Sequence, residues 1–272
     1  MLVDERTAVA ELVEAAVLRR VVGGAPAELH ARLGVVSSDL GGGVALAVGH
    51  DPSGYWSKTV GLGITEPVTA DLVAELSAFY AVHGGSHATV QIAPEALPSD
   101  WDQMAAAHDI SLGSSWVKLL RPVGNPPSAA HTPLRVGIVP SADLGEWAHV
   151  LLEGLGMSHE LDGLFSATDD DAFRHVAAWD GTRMVAAATL FLDGNAGHLF
   201  GAATLPGYRG TGAQSALIAL RLQEAEAAGV DWVVAETWEE TPESPNSSLH
   251  NLVRAGFEPF YVRQNWVWQR SA

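Results

Sequence analysis

Thr204-Leu205-Pro206-Gly207-Tyr208-Arg209-Gly210-Thr211-Gly212-Ala213-Gln214-Ser215-Ala216-Leu217 runs from a strand into a glycine-containing loop and directly into a helix. Ala213, Ala216, Leu217 and Leu220 share one helical face, which predicts an amphipathic helix beginning at about Gly212. Gly210 and Gly212 let the backbone curve close to a ligand without a clashing Cβ. The first amides of the helix are unpaired donors at the positive end of its dipole, so the loop suits an anion such as a diphosphate. An ordinary helix start is the plain alternative, because a lone Gly-x-Gly is weak evidence.

Outward from that loop, the second half of the chain reads as a strand at Leu134–Ile138, a helix from Ser141 to Leu155 and a short helix at His159–Phe165. Strands follow at Phe173–Trp179, Met184–Leu192 and His198–Thr204, then the Gly212–Ala228 helix and a strand at Asp231–Thr237. A helix over Ser247–Arg254, stopped by Gly256, leads into closing strands from Glu258 to Trp268. The first half predicts helices at Asp4–Val21, Pro26–Leu33, Thr69–Val82 and Ser99–Ala107. Its strands are Val44–Val48, Ser57–Ile64, His87–Ile92 and Ser115–Leu120. Between the halves lies Pro122-Val123-Gly124-Asn125-Pro126-Pro127-Ser128-Ala129-Ala130, whose composition is that of a linker. The expected class is α/β, or α+β with a mixed sheet, in two domains at 1–124 and 132–272. The two halves end on the same order of elements, Gly61–Ile64 matching Gly201–Thr204, which suggests an internal repeat; chance likeness of two α/β segments is the alternative.

The 272 residues, 47% hydrophobic and 17% charged, describe a chain that folds. Cysteine is absent, which excludes disulfides, thiolate nucleophiles and cysteine-ligated metals. The eleven histidines are scattered, with no His-Glu-x-x-His, so no metal site is expected. A formal charge of -17 opposes binding to nucleic acid or an anionic membrane. Neither a membrane-spanning run nor a secretory signal is visible, and a cytoplasmic location is expected. A homodimer is compatible with this composition.

The loop resembles the acetyl-CoA motif of the GNAT acetyltransferases: Arg or Gln, two residues, Gly, one residue, then Gly or Ala. Arg209 and Gly212 meet it, and Pro206-Gly207-Tyr208-Arg209-Gly210 gives the usual approach, while Gln214 departs at the last position. A second family feature, an Asn starting the next helix and a Gly-Phe ending it, is matched by Asn246 and Gly256-Phe257. The resemblance covers about Thr132 to Trp268. It implies acetyl-CoA as cosubstrate, held by Arg209, Gly210, Thr211, Gly212, Ala213, Gln214 and Asn246. It also implies a splayed V between two strands, where the pantetheine arm pairs with backbone at Ala202, Ala203 and Thr204. A backbone amide near Ala203 or Thr204 would polarise the thioester carbonyl.

The family's usual acid and base are missing, because Leu252 and Phe200 stand at their positions. His198, Tyr261 and Glu236 are the candidate proton carriers, with His250 and bulk water as further options. His198 is expected on the strand face of Phe200, Ala202 and Thr204. The insert Trp238-Glu239-Glu240-Thr241-Pro242-Glu243-Ser244-Pro245 either walls an acceptor site or is an exposed acidic loop. In the first half Thr65-Glu66-Pro67-Val68-Thr69 stands where a cofactor loop would be. Glu66 repels a diphosphate and Pro67 lacks an amide donor, so this half reads as a degenerate GNAT copy. The expected activity is N-acetylation of a small-molecule amine; the alternatives are a non-catalytic acyl-CoA sensor or scaffold, and other thioester chemistry on the same fold.

Overall fold

The computed structural model describes residues 2–125, 127 and 131–270. The chain divides into two compact units, Met1–Val117 with Tyr261–Ala272, and Lys118–Phe260. The division is not one cut in the Pro122–Ala130 stretch, because the C-terminal residues belong with the first unit. Of that stretch, Pro126 and 128–130 lie outside the described residues, while Val123 N donates to Asp231 O.

The first unit begins with α1 (Glu5–Gly24) and α2 (Ala27–Leu33). Asp4 caps α1 by accepting from Arg6 N, and Gly34 ends α2 at a φ of 64°. Three strands follow, β1 (Val35–Leu40), β2 (Gly43–Val48) and β3 (Lys58–Leu62), then α3 (Ala70–His83), β4 (His87–Ile92), α4 (Trp101–Ala107) and the start of β5 (Ile110–Pro122). β1 was not expected, since Val35-Val36-Ser37-Ser38-Asp39-Leu40 lacks apolar alternation and buries only its ends. β1 to β3 pair antiparallel, β3 and β4 pair parallel, and Asn265–Gln269 of β11 (Glu258–Gln269) pairs antiparallel with β4. Leu62, Leu72, Leu76, Tyr80, Val90, Trp101 and Trp268 belong to its core.

In the second unit β6 (Arg135–Ile138) precedes α5 (Leu144–Leu155) and α6 (Asp162–Ser166), then β7 (Phe173–Asp180), β8 (Arg183–Asp193) and β9 (Ala196–Thr204). The chain continues through α7 (Ala213–Ala228), β10 (Trp232–Trp238) and α8 (Ser247–Arg254). Strands β6 to β9 pair antiparallel in order, and β9 pairs parallel with β10. The sheet is therefore mixed, as the α/β reading expects. Ala186 and Ala188 of β8 and Val176 and Ala178 of β7 pack under Ala213 and Leu217 of α7. The order α-α-β-β-β-α-β-α-β occurs twice, from α1 to β5 and from α5 to β11. In both runs the third strand carries a glycine of positive φ at a shift in register, Gly61 at 80° and Gly201 at 58°.

Candidate active site

The site forms where β9 and β10 part. Their parallel ladder holds at Trp232↔Ala196, Val233↔Gly197 and Val234↔His198, and then ends, although both strands continue. On its other edge β9 stays paired with β8 as far as Ala186↔Thr204. Leu205 N donates to Val185 O, so Leu205 and, by alternation, Ala203 turn their polar groups to β8. Ala202 and Thr204 turn theirs the other way, into the gap that β10 has left. The amides lining the gap are thus those of Ala202 and Thr204, and not that of Ala203.

Gly201 is the extra residue between the pairs Ala188↔Ala202 and Thr189↔Phe200, and an inserted residue exchanges the faces of a strand. His198 and Phe200 share the face of Phe191 and Thr189, whereas Ala202 and Thr204 share the face of Ala188 and Ala186 beneath α7. The expected common face of His198 with Ala202 and Thr204 is corrected accordingly. His198 is buried, with its ring 6.1 Å from that of Phe200, and Phe200 stacks at 6.2 Å on Phe165 of α6. His198, Phe200 and Phe165 thus form one aromatic row on this face.

The loop at 205–212 joins β9 to α7. Pro206–Tyr208 make one 3-10 turn, and Gly210 and Gly212 adopt φ of 79° and 84°. Gly212 is the N-cap of α7 and offers no side-chain acceptor; Ala216 N is bonded back to Gly212 O. The amides of Ala213, Gln214 and Ser215 thus form an uncapped first turn. Thr211 Oγ1 donates to Tyr208 O at 2.7 Å, bracing the loop. Arg209 reaches back to Thr204 O and Gly154 O, both at 3.4 Å. Close approach of α5 is possible there because a Cβ on Gly154 would lie 2.7 Å from the Ala203 Cβ. Thr204 Oγ1 is buried and makes no hydrogen bond among the described residues, which marks a polar position next to the loop that a ligand can complete.

The candidate proton carriers separate. Glu236 lies on β10 beyond the last β9 pair, on the face that Val234 shares with His198, and its Oε2 accepts from Lys118 Nζ at 2.8 Å. Lys118 is 1% exposed at its side chain and Glu236 13%. Lys118 was missed in the sequence because it joins Glu236 across half the chain with no local signal. Tyr261 falls in the first unit, where its hydroxyl donates to Glu11 and burial pushes its ionisation well above the usual phenol range. A phenol so engaged is a poor acid for a thiolate, so its candidacy is corrected. Asn246 is corrected as a ligand contact as well. Its Oδ1 accepts from Ser248 N and Leu249 N, and its Nδ2 donates to Thr237 Oγ1 and Trp238 O, so it shapes the α8 cap instead. Glu240 accepts from Asn246 N and pairs with His250; these bonds, the first above all, hold its carboxyl below the usual range and pin the 238–245 insert to α8. Leu252 is buried core.

A strand pair that opens beside an uncapped, glycine-led helix is the geometry that marks this unit. Residues 145–257 match the acetyltransferase (GNAT) family, so that segment is a GNAT domain. No match is found among curated protein sequences. In structure the chain resembles a GCN5-related N-acetyltransferase from Kribbella flavida (TM-score 0.60, 17% identity, 97% of this chain and 96% of that one). It also resembles a GCN5-related N-acetyltransferase from Sphaerobacter thermophilus (0.55, 16%, 84% and 81%) and a GNAT acetyltransferase from Colwellia psychrerythraea (0.53, 11%, 84% and 81%). At these identities the likeness is one of fold. Among the described residues no helix is long and apolar enough to cross a membrane.

Proposed function

We propose that the chain is an acetyl-CoA-dependent N-acetyltransferase that passes the acetyl group to an amine of a small molecule by direct attack. The observation that carries this is the gap between β9 and β10, toward which the amides of Ala202 and Thr204 turn away from β8, together with the Arg209–Gln214 loop that follows β9. The loop amides and the buried Thr204 hydroxyl suit a diphosphate and its arm. The Thr204 or Ala202 amide would aim at the thioester oxygen as charge develops there. Glu236, held by Lys118, takes a proton from the acceptor ammonium; the neutral nitrogen attacks the thioester carbonyl and forms the C–N bond, the C–S bond breaks, and the second proton that the nitrogen sheds balances the one taken up by the leaving sulfur. His198 is the alternative proton carrier, from the same face. The acidic chain would favour a cationic amine over nucleic acid or membrane, and we place the reaction in the cytoplasm.

Release of free thiol from acetyl-CoA with a panel of amines tests this reading. Glu236→Gln should lower kcat by about a hundredfold or more and leave acetyl-CoA affinity unchanged. An unaltered rate would remove Glu236 and turn attention to His198→Gln. Tight acetyl-CoA binding with no turnover on any amine would favour the sensor reading.

The first unit is, on this proposal, a degenerate copy. There the β3–β4 ladder resumes at Leu62↔Ile92, so those strands do not part. Leu2 N donates to Ile64 O, at the position that matches Thr204. Thr69 caps α3 by accepting from Leu72 N, which uses the donor that α7 leaves open. Titration should accordingly give one acetyl-CoA per chain; two equivalent sites would overturn the degenerate copy.

A further inference from the structure

His149 on α5, His159 in the turn after it and Asp162 at the start of α6 bring one ligand atom each within 4.8 Å of one another. Their histidines read as scattered in the sequence, ten residues apart and off any common helix repeat. In the fold the two imidazoles stack at 3.8 Å with 14° between their planes. Both Nδ1 atoms point at one carboxylate, His149 at Asp162 Oδ2 and His159 at Asp162 Oδ1, each at 3.3 Å. That separation is longer than the ~2.7–3.2 Å usual for N–H···O bonds. It matches the spacing of two ligands on a tetrahedral ion, which at bond lengths of ~2.0–2.2 Å stand about 3.4 Å apart.

We infer that His149, His159 and Asp162 form a binding site for a divalent transition-metal ion of the zinc class. Two imidazoles and one carboxylate suit zinc, cobalt or nickel, and do not suit magnesium or calcium, which take oxygen ligands. Asp162 already gathers both Nδ1 atoms, and because an ion lies in the plane of each imidazole that binds it, its capture turns these partly exposed rings out of their near-parallel stack. Three protein ligands leave a position for water. The chain's charge of -17 draws cations to its surface. All three side chains are partly exposed, so an ion can enter without opening the core. The ion ties α5 to the segment that carries Leu161, Leu164 and Phe165 into the core.

The test is calorimetric titration of zinc into the full chain, stripped by a chelator and freed of any affinity tag. One ion per chain is expected, and affinity should fall at least about a hundredfold in His149→Ala, His159→Ala and Asp162→Asn, since even supporting residues of metal sites are worth ~10–100-fold. Melting curves without metal should match the parent in all three variants. Cobalt added to the parent should give the strong visible bands of a tetrahedral site, lost in His159→Ala. Absence of saturable zinc binding, or binding undiminished in the three variants, overturns the site.

Discussion

Gly212→Asp is expected to lower acetyl-CoA affinity by about a hundredfold or more in a chain that still folds. Three features of Gly212 act together. Its φ of 84° lies where side-chain-bearing residues are strained, and a Cβ there would come 2.5 Å from His131 O. The added carboxylate would sit at the uncapped start of α7, where it occupies the amides as an anion itself. A diphosphate charge about 5 Å away would be repelled by about 3 kcal/mol at an effective dielectric of about 20. At about 1.4 kcal/mol per tenfold, that converts to roughly a hundredfold. Gln214→Glu separates the electrostatic part from strain, because Gln214 lies in the first turn of α7, where Glu fits as well as Gln. It should weaken binding by about tenfold with an unchanged melting curve. If calorimetry finds both folded variants as tight as the parent, the loop does not hold the cofactor.

What the sequence disclosed and what it concealed divide along the distance over which each feature is encoded. The loop was legible because strand end, glycines and helix start are contiguous, and their φ values follow from residue type. The same holds for Asn246, which begins α8 as expected; its side chain turned out to be consumed by capping and by Thr237 and Trp238. Alternation along β9 failed at Gly201, since a bulge has no periodic signature, and one extra residue moved Ala202 and Thr204 to the face opposite His198. The pair Lys118–Glu236 and the cluster of His149, His159 and Asp162 depend on tertiary placement alone. Tyr261 follows Gly256-Phe257 closely in the chain, and this closeness suggested a place at the active site. The pairing of Asn265–Gln269 with β4 instead carries that end of the chain into the first unit.

That C-terminal stretch sets the second large effect. Arg263 of β11 is buried in the first unit between two carboxylates of α1, donating to Glu11 at 2.8 and 3.0 Å and to Glu14 at 2.7 and 3.0 Å. Their side chains are 0%, 1% and 4% exposed. Glu11 and Glu14 lie one helical turn apart, so both reach the same guanidinium, whose planar fork matches paired carboxylates. Arg263→Met should destabilise the protein by about 3–5 kcal/mol, because the two carboxylates stay buried after the shared cation is gone. For a chain of this size the melting temperature should drop by on the order of 10 °C. Removing the charges together is a different matter, since a buried ionic group replaced by apolar residues of similar volume is often neutral or better. Arg263→Met combined with Glu11→Leu and Glu14→Leu is therefore expected to recover most of the loss, although Tyr261 then gives up its acceptor on Glu11. Thermal melts of the single and triple variants decide the matter: a single variant that melts with the parent would show that this buried cluster does not stabilise α1 against β11.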